Sequence, residues 1–155
     1  MKVSEILKRK TGPVVTIQMT ETVHAAIRKL NEHRIGAVVV TDSAGRIAGI
    51  LSERDILREC GALCDRLPEE GRSLDVIGPL LVREIMTRAV ITAGLEDDLT
   101  YMMGVMTENR IRHLPIVVDD ALVGMISIGD AVKACVEMAE AENLALKEYI
   151  QGTAY

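Results

Sequence analysis

The chain contains one pattern twice, and each copy spans about half of its 155 residues. Residues 49–55 (GILSERD) return as residues 124–130 (GMISIGD), and residues 34–35 (RI) return as residues 110–111. The copies lie 76 residues apart at the arginines and 75 apart at the glycines. A repeated unit this short is expected to share its core with the other copy. We therefore predict two related halves with pseudo-twofold symmetry, in which any site appears twice.

Composition limits the classes of function open to the chain. A net charge of −5 argues against broad binding to nucleic acid or to an anionic membrane. The only aromatic residues among Phe, Trp and Tyr are three tyrosines, too few for a nucleic-acid stacking platform. No apolar run is long enough to span a bilayer, and the charged amphipathic N-terminus differs from a signal peptide. We expect a soluble cytoplasmic protein.

The cysteines and histidines indicate no metal or disulfide site. Cys60, Cys64 and Cys135 form an odd number without framework spacing, and no Cys or His pair has convincing metal-ligand spacing. We expect ordinary reduced thiols. The sequence also contains no grouping of nucleophile, base and orienting residue and no Gly-rich P-loop, which argues against an enzyme.

Hydrophobic periodicity predicts an α/β fold in which each copy has the order β-α-β-β-α. The first copy, with a short N-terminal helix over 3–10, occupies residues 1–60, and a linker covers 61–80. The second copy occupies residues 81–150. In the first copy we predict strands at 14–17, 36–41 and 46–51 and helices at 20–33, starting at a Thr20 cap, and at 52–60. In the second we predict helices at 81–86, 96–109 and 129–150 and strands at 89–92, 113–118 and 122–127.

The repeated pattern Gly-h-h-Ser-x-x-Asp (h, hydrophobic) crosses a strand end and a helix start, and it has two interpretations. Ser-x-x-Asp is a capping box, in which side chains satisfy the free amides of the first helical turn. Alternatively, a helix N-terminus favours phosphate, and a carboxylate there can accept both hydrogen bonds of a ribose diol. Both copies keep Gly, Ser and Asp, although a cap alone would accept other residues. The repetition favours a ligand site.

At these residues the chain resembles a tandem pair of cystathionine-β-synthase (CBS) domains, the Bateman module, of the stand-alone bacterial type. The resemblance rests on the two seven-residue segments, on RIGAVVV (34–40) and RIRHLPIVV (110–118), and on Met86 and Thr87 before the second copy. It implies two β-α-β-β-α units packed together with two clefts between them. Such modules bind adenosine-containing ligands, among them AMP, ADP, ATP, S-adenosylmethionine and NAD(H).

The resemblance also implies which side chains contact the ligand. Asp55 and Asp130 would hold ribose hydroxyls, with Ser52 and Ser127 beside the ribose or phosphate. The base pocket and the segment leading into it would be formed by a further set, namely Thr11, Val15, Ile35, Thr87, Ile91 and Ile111.

In the family's kinase-regulating members, basic residues just before a Leu-Pro pair contact phosphate. In this chain the pair is Leu114-Pro115, and Arg112 and His113 hold those basic positions in the second copy only. Arg54 is placed to substitute in the first copy. We therefore expect two unequal clefts, with Arg112 and His113 serving the cleft of Asp130. Because either cleft then has few basic groups, AMP or NAD(H) is expected to bind more tightly than ATP.

The resulting hypothesis is a regulatory protein that binds an adenine nucleotide, senses energy or redox state and acts on a separate, unidentified protein target. The resemblance further implies a homodimer. The alternative is a structural protein-interaction module without a physiological nucleotide, in which the Ser-x-x-Asp segments are only helix caps.

Overall fold

The computed structural model describes residues 1–10, 12–66 and 77–152, and it confirms the mixed α/β fold. The helices are α1 (Val3–Lys8), α2 (Val23–His33), α3 (Glu53–Arg66), α4 (Val82–Ile85), α5 (Leu99–Glu108) and α6 (Ile128–Gly152). The strands are β1 (Thr16–Gln18), β2 (Ala37–Thr41), β3 (Ile47–Ser52), β4 (His113–Val118) and β5 (Ala121–Ser127). Most elements fall within a few residues of their predicted positions.

The two halves differ in their sheets. In the first, β1 pairs parallel to β2, and β2 pairs antiparallel to β3. In the second, only β4 and β5 form a sheet within the described residues, so the strand predicted at 89–92 is wrong. A single bridge from Ala93 to Ile116 takes its place. The neighbouring Pro115 has no N–H to donate, which prevents the ladder from extending along this edge.

Several helix boundaries also depart from the sequence prediction: α1 ends at Lys8 instead of residue 10, and α5 begins at Leu99 instead of residue 96. Helix α2 is capped by Thr22, whose Oγ1 accepts from the amide of Ala25 at 3.2 Å, and not by Thr20. Helix α3 continues through Gly61 to Arg66 instead of ending at residue 60. Its later turns still pack on the first core, since Leu63 contacts that cluster, and this packing outweighs the low helix propensity of glycine.

Each half completes the hydrophobic core of the other. The first core consists of residues of β1, α2, β2, β3 and α3, together with Ile77, Val82, Ile85 and Met86. The second core contains Val3 and Ile6 of α1, together with residues between Ala93 and Ala134. Helices α1 and α4 are therefore exchanged between the repeats. The domain limits 1–60 and 81–150 stay a prediction about the repeats along the chain.

The repeated glycines allow this exchange. A Cβ atom on Gly49 would lie 2.7 Å from Sδ of Met86 and 2.9 Å from the carbonyl oxygen of Thr87. A Cβ on Gly124 would lie 2.6 Å from Cδ2 of Leu7. In both repeats the incoming segment packs directly on the strand at the glycine. The glycine of the repeated pattern thus has a packing role that is independent of any ligand.

Alanine at Gly49 is expected to lower the free energy of unfolding by about 1–3 kcal/mol, because the added methyl group collides with the Thr87 backbone. Gly61 is the matched control. It lies inside α3, where a Cβ atom would have no neighbour within 4 Å, so Gly61→Ala should raise stability by up to about 1 kcal/mol. Urea denaturation of both variants measures the difference. A Gly49→Ala protein as stable as the parent would contradict the packing role.

Helix α6 is the longest of the described helices, and its second half extends beyond the body of the protein. Ala131 and Ala134 near its start are buried in the second core. From Ala139 to Ile150 every residue is exposed, although several are large and apolar. Among the helices in the described ranges, none is both long and apolar enough to cross a membrane.

Candidate functional site

A cavity of about 300 Å³ lies between the two halves, at the N-terminal end of α3. It is lined by that helix end, by the segment after α4 and by the segment that joins α5 to β4. The residues from the sequence-predicted set that line it are Ser52, Arg54, Asp55, Thr87, Ile91, Ile111, Arg112 and His113. The structure therefore brings most of the predicted contacts into one cleft.

The other predicted residues lie elsewhere. Val15 and Ile35 pack against the first hydrophobic core. Ser127 and Asp130 lie at the start of α6, at the position in the second repeat that corresponds to Ser52 and Asp55 in the first. Thr11 lies outside the described residues.

Asp55 is buried and its carboxylate is fully hydrogen-bonded. Its Oδ2 accepts from the Ser52 amide at 2.9 Å and from the Ser52 hydroxyl at 2.6 Å. Its Oδ1 accepts from the Thr87 hydroxyl at 3.2 Å and from the Arg58 guanidinium. A carboxylate offers about four acceptor positions, so all of them are occupied. A ribose diol can bind here only by displacing a partner, and Arg58, whose side chain is 66% exposed, is the most easily moved.

Asp130 repeats this geometry with a different partner. Its Oδ2 accepts from the amide and the hydroxyl of Ser127 and from Nζ of Lys10, each at 2.7 Å. Partial burial by itself raises the pKa of Asp130, but the hydrogen bonds from Lys10 and Ser127 outweigh it and hold the pKa below its usual value. The exchanged N-terminal segment thus supplies a cation to the second site.

The cavity at Asp55 has more positive charge than the sequence predicts. Four arginines line it, namely Arg54, Arg58, Arg110 and Arg112. Arg54 also links the halves, because its Nη1 donates to the carbonyl oxygen of Arg110 at 2.9 Å. The expectation of few basic groups is therefore wrong for this cleft. Arg58 could have been found from its spacing, since it lies three residues after Asp55 on one helix face.

Arg110 is a site residue that sequence reasoning missed, although it belongs to the repeated pair. It follows the C-terminal end of α5 with a φ of 54°, and Arg34 has a φ of 52° at the end of α2. Both arginines thus adopt the left-handed conformation that ends a helix, which is uncommon for residues other than glycine. The repeat places Arg110 at the cavity, where its carbonyl holds Arg54.

Arg112 and His113 line the cavity of Asp55, so the expectation that they serve only the cleft of Asp130 is wrong. His113 also lies opposite Ser127 in the β4–β5 pair, next to Asp130. The start of β4 faces the opposite half, and a Cβ on Gly36 would lie 3.0 Å from Cε1 of His113. The first copy lacks a side chain at the position that matches Arg112 because the His113 ring occupies that space.

The environment of His113 favours its neutral form. Burial is the main cause that lowers its pKa, and the charge of Arg112 lowers it further, whereas Glu53 and Asp130 oppose the shift. A neutral imidazole offers one N–H donor and no net charge. Positive charge for an anionic ligand therefore comes from the arginines.

The family model for the CBS domain matches residues 3–62 and 82–137. The chain belongs to the CBS-domain family. The CBS domain-containing protein CBSX3, mitochondrial, of Arabidopsis thaliana is 34% identical over 97% of this chain and 72% of its own length. This result confirms the resemblance seen in the sequence.

Solved structures agree with this assignment. The CBS-domain containing protein ATU1752 from Agrobacterium tumefaciens has a TM-score of 0.76 and 34% identity, over 86% of this chain and 92% of that one. The CBS domain protein PAE2072 from Pyrobaculum aerophilum, solved in complex with AMP, has a TM-score of 0.66 and 29% identity. That match covers 84% of this CBS pair and 89% of PAE2072.

Proposed function

We propose that this CBS pair is a non-catalytic regulatory protein that binds an adenine nucleotide in the cavity of Asp55. The observation that supports the proposal is that Asp55 and four arginines line the same cavity. A nucleoside phosphate needs an acceptor for its ribose hydroxyls and cations for its phosphate, and the cavity offers both. Similarity to PAE2072, which was solved with AMP, points to adenine as the base.

The proposed pose follows from the chemistry of the walls. One ribose hydroxyl donates to Asp55 at the position that Arg58 leaves when it moves aside. Only the Arg58 end of this ion pair is exposed, so the guanidinium can move into water, and the incoming hydroxyl takes over its hydrogen bond to the buried carboxylate. The phosphate lies toward Arg54 and Arg112, near the positive N-terminal end of α3. The adenine packs against the apolar side chains of Ile91 and Ile111.

The size of the cavity favours a mononucleotide such as AMP over a dinucleotide. A volume of about 300 Å³ is at the lower end of the range for ligand pockets, which suits a mononucleotide better than a dinucleotide such as NAD(H). The charge argument against ATP no longer holds, because four arginines line the cavity. A shallow depression beside it is also lined by Arg54, Arg110 and Arg112 and offers room for further phosphates. We therefore rank AMP and ATP close together and NAD(H) below them.

A nucleotide in this cavity contacts both halves of the CBS pair and stabilises one arrangement of them. Such a ligand regulates a partner only if the partner binds the two arrangements with different affinity. We propose that the protein presents the changed surface to a separate protein as a homodimer and thereby reports the cell's energy state.

Adenine nucleotides are expected to raise the melting temperature of the protein. A ligand that binds only the folded state contributes about 2.7 kcal/mol at a hundredfold excess over its dissociation constant. Melting curves with AMP, ATP, NAD and NADH, each compared with GMP, give the ranking. Equal shifts with GMP would contradict adenine selectivity, and a larger shift with NAD than with AMP would contradict the size argument.

The structural-module alternative rests on one specific observation. Every acceptor position of the Asp55 carboxylate is already occupied by Ser52, Thr87 and Arg58, as expected of a cap that needs no ligand. If none of the nucleotides changes the melting temperature, this alternative is favoured.

A further inference from the structure

The exposed side of α6 has a heptad pattern that the nucleotide site does not explain. Along the helix, positions that alternate in steps of four and three residues are Val132, Val136, Ala139, Asn143, Leu146 and Ile150. In heptad notation Val136, Asn143 and Ile150 hold position a, and the other three hold position d. A repeat of a and d positions at this spacing forms the seam of a coiled coil.

This stripe lies apart from the face that packs on the second core. The buried residues of α6 are Ala131 and Ala134, whereas Val136, Leu146 and Ile150 are 51%, 59% and 68% exposed. The stripe begins beside the body and continues along the extension. A second helix laid along it would cover the apolar residues without disturbing the fold.

The residue types along the stripe specify two parallel strands. β-Branched residues at position a, here Val136 and Ile150, with Leu146 at position d favour a parallel dimer. A single Asn at position a, here Asn143, fixes the register, because two amides can then pair across the seam. An antiparallel pair packs position a against position d, so Asn143 would face Ala139 or Leu146 and lose its amide partner.

The charges beside the seam match the same arrangement. Glu142 holds position g and Lys147 holds position e of the next heptad. In a parallel, in-register pair, position g of one helix faces that position e of the other. Each Glu142 therefore meets the Lys147 of the second copy, and the twofold axis generates this attraction twice.

We infer that α6 forms a parallel, in-register two-stranded coiled coil with a second copy of this chain, with Asn143 paired to its own symmetry mate. The inference goes beyond the proposed nucleotide function and does not rest on it. The interface brings the two CBS pairs side by side with their C-terminal extensions joined.

Two charge variants of the full-length protein test the register. Glu142→Lys places Lys opposite Lys in its homodimer, and Lys147→Glu places Glu opposite Glu. Each variant alone is expected to raise the dimer dissociation constant roughly tenfold, because two attractive pairs become repulsive. Mixed together, the variants regain both attractive pairs, so the heterodimer should clearly exceed the proportion given by random pairing. Native mass spectrometry of the mixture without nucleotide measures this proportion.

Glu148→Lys is the matched control, because it makes the same charge change at position f, away from the seam. It should dimerise like the parent. Leu146→Asp in the full chain should raise the dissociation constant at least a hundredfold, while circular dichroism loses at most the signal of the exposed end of α6 and shows the rest of the protein folded. A monomeric parent protein at micromolar concentration would overturn the inference, and so would random pairing of the two charge variants.

Discussion

Replacing Asp55 by asparagine is expected to weaken AMP binding roughly a hundredfold, whereas Asp130→Asn should weaken it only a few-fold. A hydrogen bond to a charged group contributes about 1.5–3 kcal/mol, and moving Arg58 aside frees one acceptor position of the carboxylate for the ribose diol. The cavity with the arginines is lined by Asp55 and not by Asp130. Calorimetric titration of both variants with AMP measures the difference.

The sequence alone predicts the reverse order, because Arg112 and His113 are in the same repeat as Asp130. A larger loss in the Asp130→Asn protein would therefore contradict the cleft assignment drawn from the structure. Asparagine keeps one acceptor oxygen for the Ser52 bonds, so the helix cap is retained. The melting temperatures of the ligand-free variants check that both remain folded.

Replacing Arg112 by alanine is expected to weaken AMP binding roughly thirtyfold and to leave adenosine binding unchanged. Adenosine has the same base and ribose but no phosphate, so the comparison isolates the charge-assisted bonds that Arg112 makes in the proposed pose. Titration of the parent and the variant with both ligands gives, for each ligand, the ratio of the two dissociation constants.

Arg88→Ala is the control for this experiment. The Arg88 guanidinium donates to the carbonyl oxygen of Arg83 at 3.0 Å, and Arg88 is not among the residues that line the cavity. Its loss should leave the affinity for AMP unchanged. If Arg112→Ala lowers adenosine and AMP affinity equally, Arg112 shapes the cavity and does not bind the phosphate.

The general architecture could be predicted from the sequence because a repeat is visible in the chain itself. Matching segments at 49–55 and 124–130 predict matching strand ends and helix starts, and both copies have the expected Ser–Asp bonds. The buried strand β2 follows from its uninterrupted run of valines. These features depend on residues that are close together in the sequence, and hydrophobic periodicity predicts such local structure well.

The wrong prediction with the largest consequence for the site concerns the place where one repeat meets the other. The residue number shows which repeat a side chain belongs to. Which cleft that side chain lines depends on how the two halves pack together. Sequence position alone therefore puts Arg112 and His113 in the cleft of Asp130, although they line the cavity of Asp55. The missing strand at 89–92 has a different origin, which lies within the second repeat: a strand needs donors from a neighbour, and Pro115 of β4 provides none there.

The exchange of α1 and α4 determines when each core can form during synthesis of the chain. The first core needs only residues up to Met86. The second core needs Ala134, so Val3 and Ile6 must wait until the second repeat has been synthesised before they meet their partners. Contacts between such distant segments slow folding, because a long loop must close before they form. The apolar face of α1 thus remains exposed to water, and to chaperones, until the second repeat has emerged from the ribosome.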